Sequence, residues 1–424
     1  MPSARIRPLP LPPAGFCTLQ PSKGAPSSAV DQCSALTLAS ECQAAGPVTG
    51  LATCANGLLY SISQGDSCNL QSWAELGLSP PALPPVPATL PSTSAMAVAP
   101  GCQWVATAHK DLKIRLWRPS KAGGQLQQVA SLPSLRQSLH NWTLQHRYVQ
   151  TRRHGKKFAW MQHTDTISAL AFSADGSLLY SASWDRTVKV WSLHDMQCLE
   201  SFTAHIDSIN AMVVGAADGL LYTGSADKSI KVWARRPSTS GAGGRQFKHS
   251  MVVALQQQGS AVNALVMSRD GSLLYSGGSD GQIVVWRKSS PCWPHKAAAA
   301  SQLLRVQEKL QGHARAVLCL DLLELNAGSG ASSLLVSGSA DRNIRLWRHD
   351  NKNVHECVAA VRAHTGPVRS LRVGVVEELG GVCGGVAFSG GLDGSIKMWM
   401  LAPATSSSSS ISSATGNLDQ EDQI

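Results

Sequence analysis

The chain has 424 residues, 43% of them hydrophobic and only 15% charged, with 37 Gly and 22 Pro. That content supports a buried core and many turns. No run of about 18 apolar residues occurs, which excludes a helical membrane span. The net charge of +10 favours anionic contacts without choosing among nucleic acid, acidic proteins and anionic membrane surfaces.

Residues 1–34 are rich in Pro and Ser, with Arg5 and Arg7 and no acid before Asp31. They lack the compact apolar core of a secretory signal and read as a disordered tail, with a weak likeness to a transit peptide. Leu36 to Cys42 reads as a strand. Residues 46–73 then carry a degenerate unit: Leu58-Leu59-Tyr60-Ser61-Ile62-Ser63, Asp66 and Trp73.

A clearer unit occupies 94–117, with Asp111 six residues before Trp117. The segment 132–162 is an insertion containing Arg147, Arg152, Arg153, Lys156 and Lys157. Five further units follow at 163–191, 205–233, 258–286, 313–347 and 364–399. Each places an Asp six residues before a Trp: Asp185, Asp227, Asp280, Asp341 and Asp393. An apolar run before the Asp and an alternating run up to the Trp read as two strands joined by a tight turn. An upstream strand, such as Ile167 to Phe172, is often preceded by a His: His163, His205, His313 or His364. The His-to-Trp distance is 28 residues in the first two of these, and 34 and 35 in the last two. Residues 402–424 run from a Ser repeat to an acidic end and read as a disordered tail.

The eleven Cys are an odd number with no Cys-x-x-Cys pair. They read as small buried hydrophobes in a reducing compartment, without a zinc or disulfide framework.

This repeat is similar to the WD repeat. The resemblance implies an all-β, seven-bladed WD-repeat β-propeller spanning 35–401. Its blades would be antiparallel and four-stranded, with the ring closed by the N-terminal strand as the last blade's outer strand. It also implies hydrogen-bonded structural tetrads: His163, Ser181, Asp185 and Trp191; His205, Thr223, Asp227 and Trp233; His313, Ser337, Asp341 and Trp347; His364, Ser389, Asp393 and Trp399. The unit ending at Trp286 has Gln258 in place of the His, and the one ending at Trp117 is read as having no tetrad His. The insertion, ending Ala159-Trp160-Met161-Gln162-His163, together with Tyr180 to Arg186, resembles plant WD-repeat proteins of the jingubang type. That resemblance implies a signalling adaptor and a link to plant development.

Four similar His–Asp–Ser/Thr sets at blade period point to scaffolding, because a hydrolase needs one nucleophile in one cleft. No catalytic, metal or cofactor-binding residue stands out. Trp184 before Asp185, with Arg186, Lys228 and Arg342 after three turn Asp residues, suggests a partner-binding rim suited to acidic or phosphorylated peptides. The basic run at 147–157 suggests nucleic-acid binding. The expected protein is a monomeric, non-enzymatic adaptor of the cytoplasm or nucleus. The alternatives are an RNA-associated protein and a ubiquitin-ligase substrate receptor.

Overall fold

The computed structural model describes residues 36–44, 46–54, 58–63, 69–73, 91–119, 126–134, 148–150, 157–159, 161–238, 246–256, 258–288, 304–325, 332–349, 354–377 and 383–401. Among them, all regular structure is strand apart from one short 3-10 turn, Pro100–Cys102.

The unit ending at Trp191 shows the building plan. Strands Ile167–Phe172, Leu178–Ser183, Thr187–Ser192 and Gln197–Thr203 pair in chain order as an antiparallel meander. The second strand is buried at every position, whereas the outer strand alternates with solvent. A strand covered on both faces can be apolar throughout, which explains the near-continuous run Leu178-Leu179-Tyr180. The cover comes from the neighbouring blade. One core cluster joins Tyr180, Val188 and Val190 to Ile209, Leu221 and Trp233 of the next sheet.

Six blades of this kind form, ending at Trp117, Trp191, Trp233, Trp286, Trp347 and Trp399. The expectation of seven four-stranded blades is corrected to six. Residues 46–73 make only a three-stranded sheet, Val48–Thr53, Leu59–Ser63 and Asn69–Trp73. An outer strand would have to come from the chain after Trp73. That stretch, 74–90, lies outside the described residues. It holds Pro80, Pro81, Pro84, Pro85 and Pro87, and Pro cannot donate to a ladder. The three-stranded sheet still fills a place in the ring, because its inner strand packs against Val368–Glu377 on one side and Thr93–Val98 on the other.

The Trp399 blade takes its outer strand from the start of the chain. Leu36–Gln43 pairs antiparallel with Ser395–Leu401. Lys397 Nζ lies 3.4 Å from Glu41, and the Ala44 N–H donates to the Gly394 carbonyl at 2.7 Å. Both ends of the repeat region therefore share one sheet.

Side chains stitch neighbouring blades where no ladder can. Ser94 Oγ donates to the Ile167 carbonyl at 2.6 Å, and Ser168 Oγ donates to that of Ile209. Asn210 Nδ2 donates to the Val262 carbonyl at 3.1 Å, and the Leu51 N–H donates to Ser370 Oγ at 2.8 Å. These bonds satisfy backbone groups at the inner strands that would otherwise be orphaned. Packing there is close: a Cβ at Gly224 would stand 2.5 Å from Val262 Cγ1.

The outer girdle has its own ties. His249 Nδ1 lies 2.7 Å from Glu200, and Tyr180 Oη lies 3.4 Å from His249 Nε2. The pattern recurs two junctions on, where His355 Nδ1 is 2.9 Å from Glu308 and Tyr275 Oη is 3.0 Å from His355 Nε2. Between them, Tyr222 Oη donates to Asp218 at 2.8 Å, and Lys288 of the following blade meets the same carboxylate at 3.2 Å.

Candidate partner-docking face

One face of the ring carries the loops that enter each blade and the tight turns that hold the repeated Asp. In the Trp191 blade the structure brings four residues together. His163 Nδ1 lies 2.9 Å from Asp185 Oδ2, and His163 Nε2 lies 2.8 Å from Ser181 Oγ. Trp191 Nε1 donates to Ser181 Oγ at 2.9 Å. The donors run one way: indole N–H to Ser Oγ, Ser O–H to Nε2, and Nδ1–H to the carboxylate. That order requires a neutral ring. Burial keeps His163 below its ordinary pKa, against the pull of Asp185.

The carboxylate is saturated. Asp185 Oδ1 accepts the Thr187 N–H at 2.9 Å and Thr187 Oγ at 2.6 Å, while Oδ2 also accepts the Thr164 N–H at 2.9 Å. Burial alone would raise this carboxyl, but the His163 ring and the hydrogen bonds outweigh it and hold the pKa well below the usual range.

The same geometry joins His205, Thr223, Asp227 and Trp233, with ring distances of 2.9 and 2.8 Å. It joins His313, Ser337, Asp341 and Trp347 at the same two distances. In the Trp399 blade His364 reaches Asp393 at 3.1 Å and Ser389 at 2.8 Å, and Trp399 donates to Ser389. Ser181, Thr223, Ser337 and Ser389 are completely buried. Each hydroxyl already accepts an indole N–H, so none can reach a substrate.

Two blades depart from this set. In the Trp286 blade Gln258 Oε1 takes the ring's place, accepting from Ser276 Oγ at 2.8 Å. Its Nε2 is buried without a partner among the described residues. The Trp117 blade corrects the reading that it lacks a His. His109, inside the second strand, places Nε2 2.9 Å from Thr107 Oγ1, which accepts the Trp117 indole at 2.8 Å. His109 Nδ1 faces the Pro91 carbonyl at 2.8 Å. Asp111, with no ring to meet, pairs with Arg115 at 2.7 Å. The signal was there as Thr107-x-His109, since residues two apart in a strand share a face.

The residue after each turn Asp has positive φ: Leu112 63°, Arg186 72°, Lys228 65°, Gly281 83°, Arg342 74° and Gly394 80°. Gly adopts this conformation freely, whereas other residues are disfavoured by about 1 kcal/mol. Arg186, Lys228 and Arg342 accept that strain and are exposed. Arg186 makes one weak side-chain contact, 3.4 Å to the Ile206 carbonyl.

Trp184 stands apart from the other tryptophans of the blades. It is 45% exposed, whereas the six that end the four-stranded blades are all at least 93% buried. It sits at the mouth of the central channel, a cavity of about 690 Å³. Lys110 and Leu392 occupy the same turn position in their own blades and line the same mouth, as does exposed Arg369; Arg372 lines the wall. Ile206, directly after His205, is 79% exposed, and Leu392 is 42% exposed. Reading the sequence missed Lys110, Ile206 and Leu392. A comparison of residues flanking each His and each Asp would have shown them as bulky exceptions to Thr and Ala.

The Lys or Arg two before five of the six blade tryptophans (Val284 holds that place before Trp286) forms no free basic ring. Lys189 Nζ donates to Ser201 at 2.7 Å, Lys231 to the Ala204 carbonyl at 2.8 Å, and Lys397 meets Glu41. The basic run at 147–157 lies outside the described residues, apart from the backbone of the hairpin Tyr148–Gln150 and Lys157–Ala159.

Cysteine usage needs one correction. Cys54, in the three-stranded sheet, and Cys102, beside the Trp117 blade, form a disulfide with Cα atoms 5.6 Å apart. The two lie on separate elements 48 residues apart, a proximity that sequence spacing does not encode. Cys42, Cys198 and Cys319 are not in the disulfide, and burial pushes their thiols up to about 12. No group of three or more His, Cys, Asp or Glu suited to a metal occurs among the described residues, and no helix is long and apolar enough to cross a membrane.

Comparison with known proteins fits this geometry. The family model for the WD domain, G-beta repeat, matches residues 156–192, 196–234, 250–287, 304–348 and 355–400. The chain is a WD-repeat protein. The matches cover the blades from Trp191 to Trp399. They leave out the Trp117 blade and the three-stranded sheet.

Among WD proteins, the chain is 31% identical over 151 residues to Protein ROOT INITIATION DEFECTIVE 3 of Arabidopsis thaliana, covering 33% of this chain and 28% of that one. It is 31% identical over 191 residues to striatin of Mus musculus, covering 45% of this chain and 18% of striatin. WD repeat-containing protein 18 of Bos taurus is 40% identical over 52 residues, 12% of each chain. The chain thus spans less than a third of each of these relatives.

Proposed function

We propose that this WD-repeat protein is a non-enzymatic scaffold that binds protein partners on the face carrying the loop His residues and turn Asp residues. The observation that carries the reading is Trp184. Among the described residues it is the one blade-turn aromatic left exposed, at 45%, at the mouth of the channel and beside Arg186. A rigid aromatic flanked by a cation makes an effective interface anchor. The burial of all four tetrad hydroxyls supports a role without bond chemistry.

The finer reading is an intracellular adaptor in signalling or plant developmental regulation, akin to the jingubang type. Its support is the similarity to a plant WD protein named for root initiation. The test is affinity capture from native cells with the full chain and with a Trp184→Ala/Arg186→Ala variant of unchanged melting temperature. Partners should be lost from the variant. An unchanged set would remove this face from the account.

A further inference from the structure

We infer that the partner segment received by this face is acidic, with apolar residues interspersed, and that it crosses the channel mouth. The inference rests on the docking reading above and names the chemistry of what docks. Six exposed cations stand on the face: Lys110, Arg186, Lys228, Arg315, Arg342 and Arg369. None forms an ion pair among the described residues. They face three accessible acids, Asp165, Asp207 and Asp280, each of which already accepts a neighbouring backbone N–H. Of the turn Asp residues, four are shielded: their side chains are only 4–13% exposed and are hydrogen-bonded to neutral His rings. Asp111 is paired with Arg115, and Asp280, in the blade where Gln258 replaces the His, is exposed.

The opposite face is mixed in sign. It carries Asp175, Asp195 and Asp270 together with exposed Arg118, Arg235, Arg269 and Arg287, of which Arg118 and Arg235 lie over the Trp104 and Phe247 rings. Folding does not account for the cations. Gly281 and Gly394 show that the residue after the turn Asp can be the strain-free one, yet Arg186, Lys228 and Arg342 hold it at positive φ. Two more cations, Lys110 and Arg369, line the channel mouth on the same arc, on either side of the three-stranded sheet. Complementary charge placed this way steers and orients a partner.

The apolar groups between the cations favour a peptide over a nucleic acid. Trp184 is the single exposed aromatic among the described turns. Ile206 and Leu392 are aliphatic and offer no stacking surface. Asp165 and Asp207 would repel a continuous phosphate chain, whereas an acidic peptide can place its apolar residues against them.

The experiment is selection of a random displayed peptide library on the full chain, followed by affinity measurement of the enriched peptides. Two variants run alongside: Lys110→Ala/Arg342→Ala/Arg369→Ala and Trp184→Ala/Arg186→Ala. The enriched peptides should be acidic, should bind more weakly as salt rises from about 50 to 300 mM, and should lose about tenfold in affinity on the triple variant, as three exposed charge pairs together imply. The salt series on the native chain keeps the test decisive if the triple variant fails to fold. Enriched peptides that are neutral or basic, and lost only with Trp184, overturn the acidic assignment and leave the docking face standing. Peptides indifferent to both variants, or no enrichment, overturn both. A single-stranded RNA oligonucleotide that binds more tightly than every selected peptide also overturns the assignment.

Discussion

His249 Nδ1 lies 2.7 Å from Glu200 Oε2, joining the outer strands of two successive blades. The His249 backbone N–H donates to the same carboxylate at 3.0 and 3.1 Å, and the ring stacks on Phe202. Blades share no ladder, so such contacts decide how well the ring resists opening at its circumference. Glu200→Ala should therefore cost about 2 kcal/mol, since two buried donors lose their acceptor together. The exposed pair Arg348 and Glu356 gives the contrast. Glu356→Ala should change stability by less than about 1 kcal/mol. Urea denaturation of both variants checks the difference, and equal effects would mean that the girdle ties do not hold the blades.

Acid should weaken the fold in two steps. Burial holds His109, His163, His205, His355 and His364 below their ordinary pKa. For a lowered His, the unfolded chain takes the proton first, so this stability is complete above about pH 6.5 and is lost as pH falls. The turn carboxyls act lower down. Burial would raise Asp341, but the His313 hydrogen bond and the backbone N–H donors hold it at about 2; Asp185, Asp227 and Asp393 are also lowered. Their contribution goes between about pH 4 and pH 2. The melting temperature should be level from pH 8 to pH 7 and fall from about pH 6.5 downward. A level profile down to pH 4 would contradict neutral buried rings.

Removing residues 1–45 should abolish cooperative folding, because it takes away Leu36–Gln43 and exposes the edge of Ser395–Leu401. Removing 1–30 should leave the melting transition in place. Differential scanning calorimetry of the two truncated chains distinguishes them. A sharp transition for 46–424 would show that the last blade holds without its outer strand.

Legibility followed the physics of each feature. The five units from 163 to 399 were plain because Asp and Trp are fixed on either side of one tight turn, where backbone geometry tolerates no change in length. The Trp117 blade hides its imidazole, because His109 lies within a strand and not in the entering loop. The unit at 46–73 showed two of its strands, but whether an outer strand follows depends on the chain beyond Trp73, where Pro breaks the alternation that marks a strand. The pairing of Cys54 with Cys102 is a contact between separate elements, which no local pattern records. Trp184 stood out in the sequence as an exception among its sister copies. Its neighbours at the channel mouth did not, because Lys110, Arg369 and Leu392 converge only when the ring closes.

The central claim is that one face of the ring receives partners. Site-specific photo-crosslinking tests it most directly. A photoreactive residue would replace Trp184, Arg342 or, on the opposite face, Asp175, with the full chain expressed in its native cell. Crosslinks to another protein should form from positions 184 and 342 and not from 175. Crosslinks from 175 alone, or equally from all three, would contradict the account.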